Sequence, residues 1–153
     1  MRQARSPLRA LLVALPTTLL PSVLIGIAIA HLLPDLPQPN LAVGTPFAFV
    51  LAVIISPVLE TLIMAGLITL LRLVLSPTAA VVVSALAWGG AHSLAAPAWG
   101  LVIWWPFLIF STLYLTWRQR SLAAALAMPM AAHTLHNLIP ALVIFAGSRA
   151  GAG

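Results

Sequence analysis

The chain contains no cysteine, which excludes disulfides, a thiol nucleophile and any cysteine-ligated metal or cluster. Lysine is missing as well, and all seven basic residues are arginines. Acid is scarcer still, with Asp35 and Glu60 the only carboxylate side chains in 153 residues. Charged residues make up 6% of the chain and hydrophobic ones 62%, at a mean hydropathy of +1.12. So few polar groups cannot cover a water-soluble domain of this size, and the composition is that of an integral membrane protein. The length suits one membrane domain over residues 1–153. The net charge of +5 comes from arginines placed between apolar runs, a pattern of membrane orientation rather than nucleic-acid binding. The expected surroundings are a lipid bilayer, with no nucleic-acid partner. The Ala, Leu, Pro and Arg bias without Lys is that of a GC-rich bacterial genome, so a bacterial inner membrane is expected.

Five apolar segments can be read, at 8–33, 46–71, 78–96, 99–117 and 122–145. The breaks between them, "PDLPQPN", "RLVLSP", "AAPAWG" and "WRQRS", hold the Pro, Gly, Asn, Ser or charge that helix ends require. The fold predicted is all-α, a polytopic bundle of about five transmembrane helices. Arg2, Arg5 and Arg9 precede the first segment, Arg72 follows the second, and Arg118 and Arg120 follow the fourth. All six fall on one side if the amino terminus is cytoplasmic, with only Arg149 opposite. The first segment has a rival reading as a cleavable signal peptide, since "MRQARSPLR" precedes an apolar run and "AIA". It is long for that role and is interrupted by Pro16 and Pro21.

Few polar side chains stand at membrane depth. Glu60 is the costliest, because a charge at the centre of a bilayer raises the free energy by roughly 2.5–3.5 kcal/mol on insertion scales. His92, His133, His136 and Asn137 complete the set. Each alone reads as an interhelical hydrogen-bond partner, worth about 0.6 kcal/mol. Together they fall on the second, third and fifth segments, and His133 and Asn137, four apart, share a helix face. A carboxylate and imidazoles converging on one cavity can exchange protons and polarise a water. Pro57 and Pro129 stand one turn before Glu60 and His133, where the carbonyls they free are tolerable only against protein or water. Ala123, Ala127 and Ala131 form a small-residue stripe expected to seat a neighbouring helix.

These residues resemble the CAAX protease and bacteriocin-processing (CPBP, or Abi) family of glutamic intramembrane proteases. "PVLETLIMAG" matches that family's first motif through Pro57, Glu60 and Gly66. "WGGAH" matches its second through Trp88 and His92, and "AAHTLHN" its third through His133 and Asn137. The motif-bearing core covers about 46–138, with one helix between the second and third motifs. The sequence departs from the pattern at Thr61, where a second Glu is usual, and at Ala65, where an Arg is usual. Positions 61 and 65 face each other on a helix, so losing both leaves no orphaned charge. The departure reads as joint loss of a structural ion pair.

The resemblance implies an intramembrane endopeptidase without cofactor or metal. Glu60 and His92 would activate a water, and His133 and Asn137 would stabilise the oxyanion. The partner would be a protein or peptide with a membrane-proximal cleavage site: a prenylated tail, a bacteriocin leader or a surface-protein sorting signal. A Glu with two His could also bind zinc. Two other classes stay open, a proton-coupled small transporter and a catalytically silent family member acting as an immunity or partner protein. HExxH, a second intramembrane acid and Gly-x-Ser-x-Gly are all missing, which disfavours zinc, aspartyl and serine protease chemistry.

Overall fold

The computed structural model describes residues 6–39 and 44–150, the last two by backbone alone. Arg2, Arg5 and the side chain of Arg149, which enter the orientation argument, lie outside the described residues. Among those described there are five helices and no strand: α1 (Pro7–Leu32), α2 (Pro46–Leu71), α3 (Pro77–Ser93), α4 (Pro97–Arg118) and α5 (Leu122–Ala150). The all-α bundle expected from composition is the architecture found.

Helix starts follow local chemistry. The first four helices open on a proline, whose missing N–H falls among donors that lack a helical acceptor anyway. The side-chain oxygens of Thr45 and Ser76 each accept a backbone N–H, from Ala48 and Ala79, at 3.2 Å. Ser121 does the same for Ala124 at 3.0 Å. The third helix ends earlier than the apolar pattern predicts. Pro97 forces the residue before it out of helical geometry, and Ala96 is extended at φ −157°, ψ 126°. Helix α3 therefore has 17 residues, about 26 Å at 1.5 Å per residue. The other four are longer and apolar enough to cross a membrane; α3 lies at the short end of the spanning range.

Helix α4 is the hub, packed against α1, α2, α3 and α5. Its Phe107, Phe110 and Tyr114 are buried with Met64, Ala65 and Ile68 of α2, Ala85 of α3, and Ala125 and Ala132 of α5. The packed stripe of α5 is thus Ala125, Met128, Pro129 and Ala132, and the expected stripe is displaced. Ala123 and Ala127 are exposed and Ala131 is half-buried. A run rich in alanine satisfies i, i+4 spacing on more than one face, so spacing alone does not select the packed one. On α1, Leu8, Leu12, Leu20 and Leu24 remain exposed, as a helix flank against hydrocarbon requires.

Two features hold α4 in place. The indole of Trp105 donates to the carbonyl oxygen of Thr17 at 2.8 Å. Thr17 precedes Pro21 by four residues, so its carbonyl has no helical N–H to accept. Across the α3–α4 turn the backbones nearly touch. A Cβ at Gly100 would overlap Ser93 and the carbonyl oxygen of Gly89, and one at Gly89 would meet Trp104 Cβ at 3.0 Å. Ser93 Oγ donates back to the Gly89 carbonyl at 2.9 Å. Without an apolar driving force between helices in lipid, such close approach supplies the packing energy.

Gly100→Ala should therefore push α3 from α4 and lower stability by about 1–3 kcal/mol, as overpacking does. Gly90→Ala, with nothing within 4 Å of its Cβ position, should be neutral or slightly stabilising. Thermal unfolding of both variants in detergent tests the pair.

Candidate functional site

The buried stripe of α2 runs through Pro57, Thr61, Met64, Ala65 and Ile68, at helical spacing. Glu60 stands at its edge, 22% exposed by side chain, and turns toward α5. Its Oε2 lies 3.8 Å from Nε2 of His133, which is 6% exposed by side chain. A separation of 3.8 Å is ion-pair distance and too long for a direct hydrogen bond. It leaves the carboxylate and imidazole able to contact one water in common.

Aromatic rings of α4 fix the imidazoles. His133 stacks on Phe110 with centroids 4.6 Å apart and meets Phe107 edge-on at 5.3 Å. Phe107 also contacts His92 at 6.0 Å, so one phenyl ring touches both. Trp88 stacks on Phe107 at 4.4 Å, and Trp99 meets His92 edge-on at 4.8 Å. Nδ1 of His92 lies 2.9 Å from the carbonyl oxygen of Trp88 one turn earlier. With Nδ1 committed as the donor to that oxygen, Nε2 is the free acceptor of a neutral ring. Among the described residues, Glu60 forms its ion pair with His133 and none with His92.

Asn137 has a different neighbour. Its Nδ2 donates to the carbonyl oxygen of Ala52 at 2.9 Å. Ala52 belongs to a π-helical turn, Leu51–Ile55, in which the Ser56 N–H reaches back to Leu51. The next donor in that register would come from residue 57, a proline. The Ala52 carbonyl therefore lacks a helical donor, and Asn137 supplies one from α5. His136 is buried, edge-on to Phe110 at 6.0 Å. Nδ1 of both His133 and His136 is buried without a protein partner.

The four candidate residues thus come from three helices to one region. Glu60 and His133 are in direct reach, His92 stands behind Phe107, and Asn137 braces the turn that precedes Glu60. Thr61 and Ala65 are both buried, Ala65 among the apolar side chains that α2 packs against α4. The sequence reading missed Phe107, Phe110 and the π-turn. The aromatic run "WWPFLIF" was the available signal for the first two. For the turn it was Pro57 itself, since a proline about three turns into a helix with no break before it must leave a carbonyl free.

Asn137→Ala should lower stability by roughly 0.6–1.7 kcal/mol, the range for interhelical hydrogen bonds in membranes. In a Pro57→Ala background the loss should shrink, because α2 can then donate to its own carbonyl. Thermal unfolding of the double-mutant cycle reads the coupling, and strictly additive losses would contradict this account of the bond.

The family model for type II CAAX prenyl endopeptidases, Rce1-like, matches residues 42–139. No curated protein and no solved structure matches the chain. The matched span takes in α2, α3, α4 and the part of α5 that carries His133 and Asn137. With four helices long and apolar enough to cross a bilayer, the chain is an integral membrane protein that belongs to the Rce1-like family of CAAX proteases.

Proposed function

We propose that the chain is a glutamic-type intramembrane endopeptidase acting on a prenylated, CAAX-like peptide tail, with Glu60, His92, His133 and Asn137 as its working residues. The supporting observation is the 3.8 Å approach of Glu60 Oε2 to His133 Nε2, within an aromatic frame that His92 shares. A water held beside Glu60 attacks the scissile carbonyl carbon, and its proton passes to the carboxylate. His92 exchanges that proton toward the leaving nitrogen. The carbon–nitrogen bond breaks, giving a free amine and a carboxylate. Nε2 of His133 and the second hydrogen of Asn137 Nδ2 face the negative charge that develops on the carbonyl oxygen. No cofactor or metal is required by these steps.

The amino terminus is proposed to be cytoplasmic, which places Arg72, Arg118 and Arg120 inside and the α3–α4 turn outside. A bacterial inner membrane is the compartment we infer. Residues 46–138 would carry the chemistry, and α1 would brace α4 through Trp105.

Glu60→Gln and His92→Ala should abolish cleavage of a farnesylated peptide in proteoliposomes, with melting temperatures held or raised for Glu60→Gln. His133→Ala and Asn137→Ala should lower turnover by about 10²–10³ for a lost oxyanion donor. Thr61→Ala should retain activity. Full cleavage by Glu60→Gln would overturn the glutamic mechanism.

Orientation has its own test. Asp35→Cys and Leu94→Cys, both at exposed positions, should react with an impermeant thiol reagent outside intact cells. Labelling only after the membrane is opened would reverse the topology.

A further inference from the structure

One flank of the bundle, away from Glu60 and the histidines, carries a groove of about 510 Å³. It is bounded by Ala65, Gly66, Thr69 and Leu70 of α2, Tyr114 of α4 and Leu122 of α5. Ala65 and Tyr114 form a buried floor, while Leu70 and Leu122 are exposed at the mouth. The groove exists because positions 65 and 66 are small: a Cβ on Gly66 would meet nothing within 4 Å. Its two hydroxyls are already committed. Thr69 Oγ1 donates to the Ala65 carbonyl at 2.7 Å and lies 3.2 Å from the Tyr114 hydroxyl. Having one hydrogen, Thr69 must accept from Tyr114. The lining therefore asks nothing polar of an occupant and suits a hydrocarbon chain.

The end of the groove is charged. Arg72 stands two residues beyond Leu70, Arg118 four beyond Tyr114, and both are exposed. The Arg72 guanidinium donates to the Leu75 carbonyl oxygen in the turn that follows α2. Arg120, two residues before Leu122, lies over the Trp117 ring at 4.4 Å. Asp35 belongs to the α1–α2 loop and Glu60 is turned to His133, so neither acidic side chain offsets Arg72 or Arg118. Planar guanidiniums pair with phosphate oxygens in bidentate fashion.

From this charge complementarity we propose that the groove is a binding site for one anionic glycerophospholipid. An acyl chain lies along Ala65, Gly66 and Thr69, and the phosphate is held by Arg72 and Arg118. The assignment is independent of the peptidase mechanism, because it is read by binding and not by turnover.

The test is native mass spectrometry of the full chain in detergent, titrated with phosphatidylglycerol or phosphatidylcholine of identical acyl chains. The wild-type protein should retain one phosphatidylglycerol with an apparent Kd about tenfold below that for phosphatidylcholine. The Arg72→Gln/Arg118→Gln pair, at exposed positions, should lose that preference while keeping the weaker binding. Gly66→Leu should lose both lipids, with helicity and melting temperature measured to confirm the fold. Equal retention of the two lipids by the wild-type protein would overturn the proposal, as would unchanged retention in Gly66→Leu. So would a farnesylated peptide that displaces phosphatidylglycerol one for one, which would assign the groove to a substrate tail.

Discussion

A backbone carbonyl freed by proline must find a donor, and in hydrocarbon that donor has to be another part of the protein. Two such bonds tie this bundle together. Trp105 of α4 reaches the Thr17 carbonyl freed by Pro21, and Asn137 of α5 reaches the Ala52 carbonyl left open by the π-turn before Pro57. Each crosses between helices far apart in sequence. Lipid hydrocarbon offers neither bond a competing donor or acceptor. Pro21 and Pro57, each of which weakens its own helix, thereby each help to fix how two helices sit together.

The second of these bonds bears on positions 61 and 65, which carry no charge in this chain. Helix α2 meets α5 through a ladder that needs no arginine: Phe49 against Phe145 at 5.3 Å, Ala52 with Asn137, and Glu60 with His133. Rising numbers on α2 meet falling numbers on α5, so the two run antiparallel. Burying a neutral Thr61 and Ala65 avoids the desolvation of an ion pair, which often outweighs its Coulombic gain. The unpartnered Thr61 hydroxyl is a smaller cost than an unpaired charge.

Much of this was legible in the sequence. Composition and the apolar runs give the class and the number of helices, and the prolines mark four of the five starts within two residues. The motif residues fall on the helices assigned to them. What the sequence could not show has a physical cause in each case. The register of α5 was ambiguous because alanine occurs on several of its faces. The end of α3 was set by a single residue, Pro97, acting backwards on Ala96. Asn137 looked uncommitted because its acceptor lies 85 positions away and becomes an acceptor only through a local change of helical register.

The near contact of α3 with α4 also bears on how the protein enters a membrane. Helix α3 is short, and its last turns carry Gly89, Gly90, His92 and Ser93, a poor sequence to present to lipid by itself. Its partner begins four residues after it ends and offers Gly100 as the seat for those same turns. The two can leave the insertion machinery as one hairpin, with α4 shielding what α3 cannot bury in lipid. A charge or bulk placed at that seam would then act during biogenesis, before any folded state exists to be destabilised.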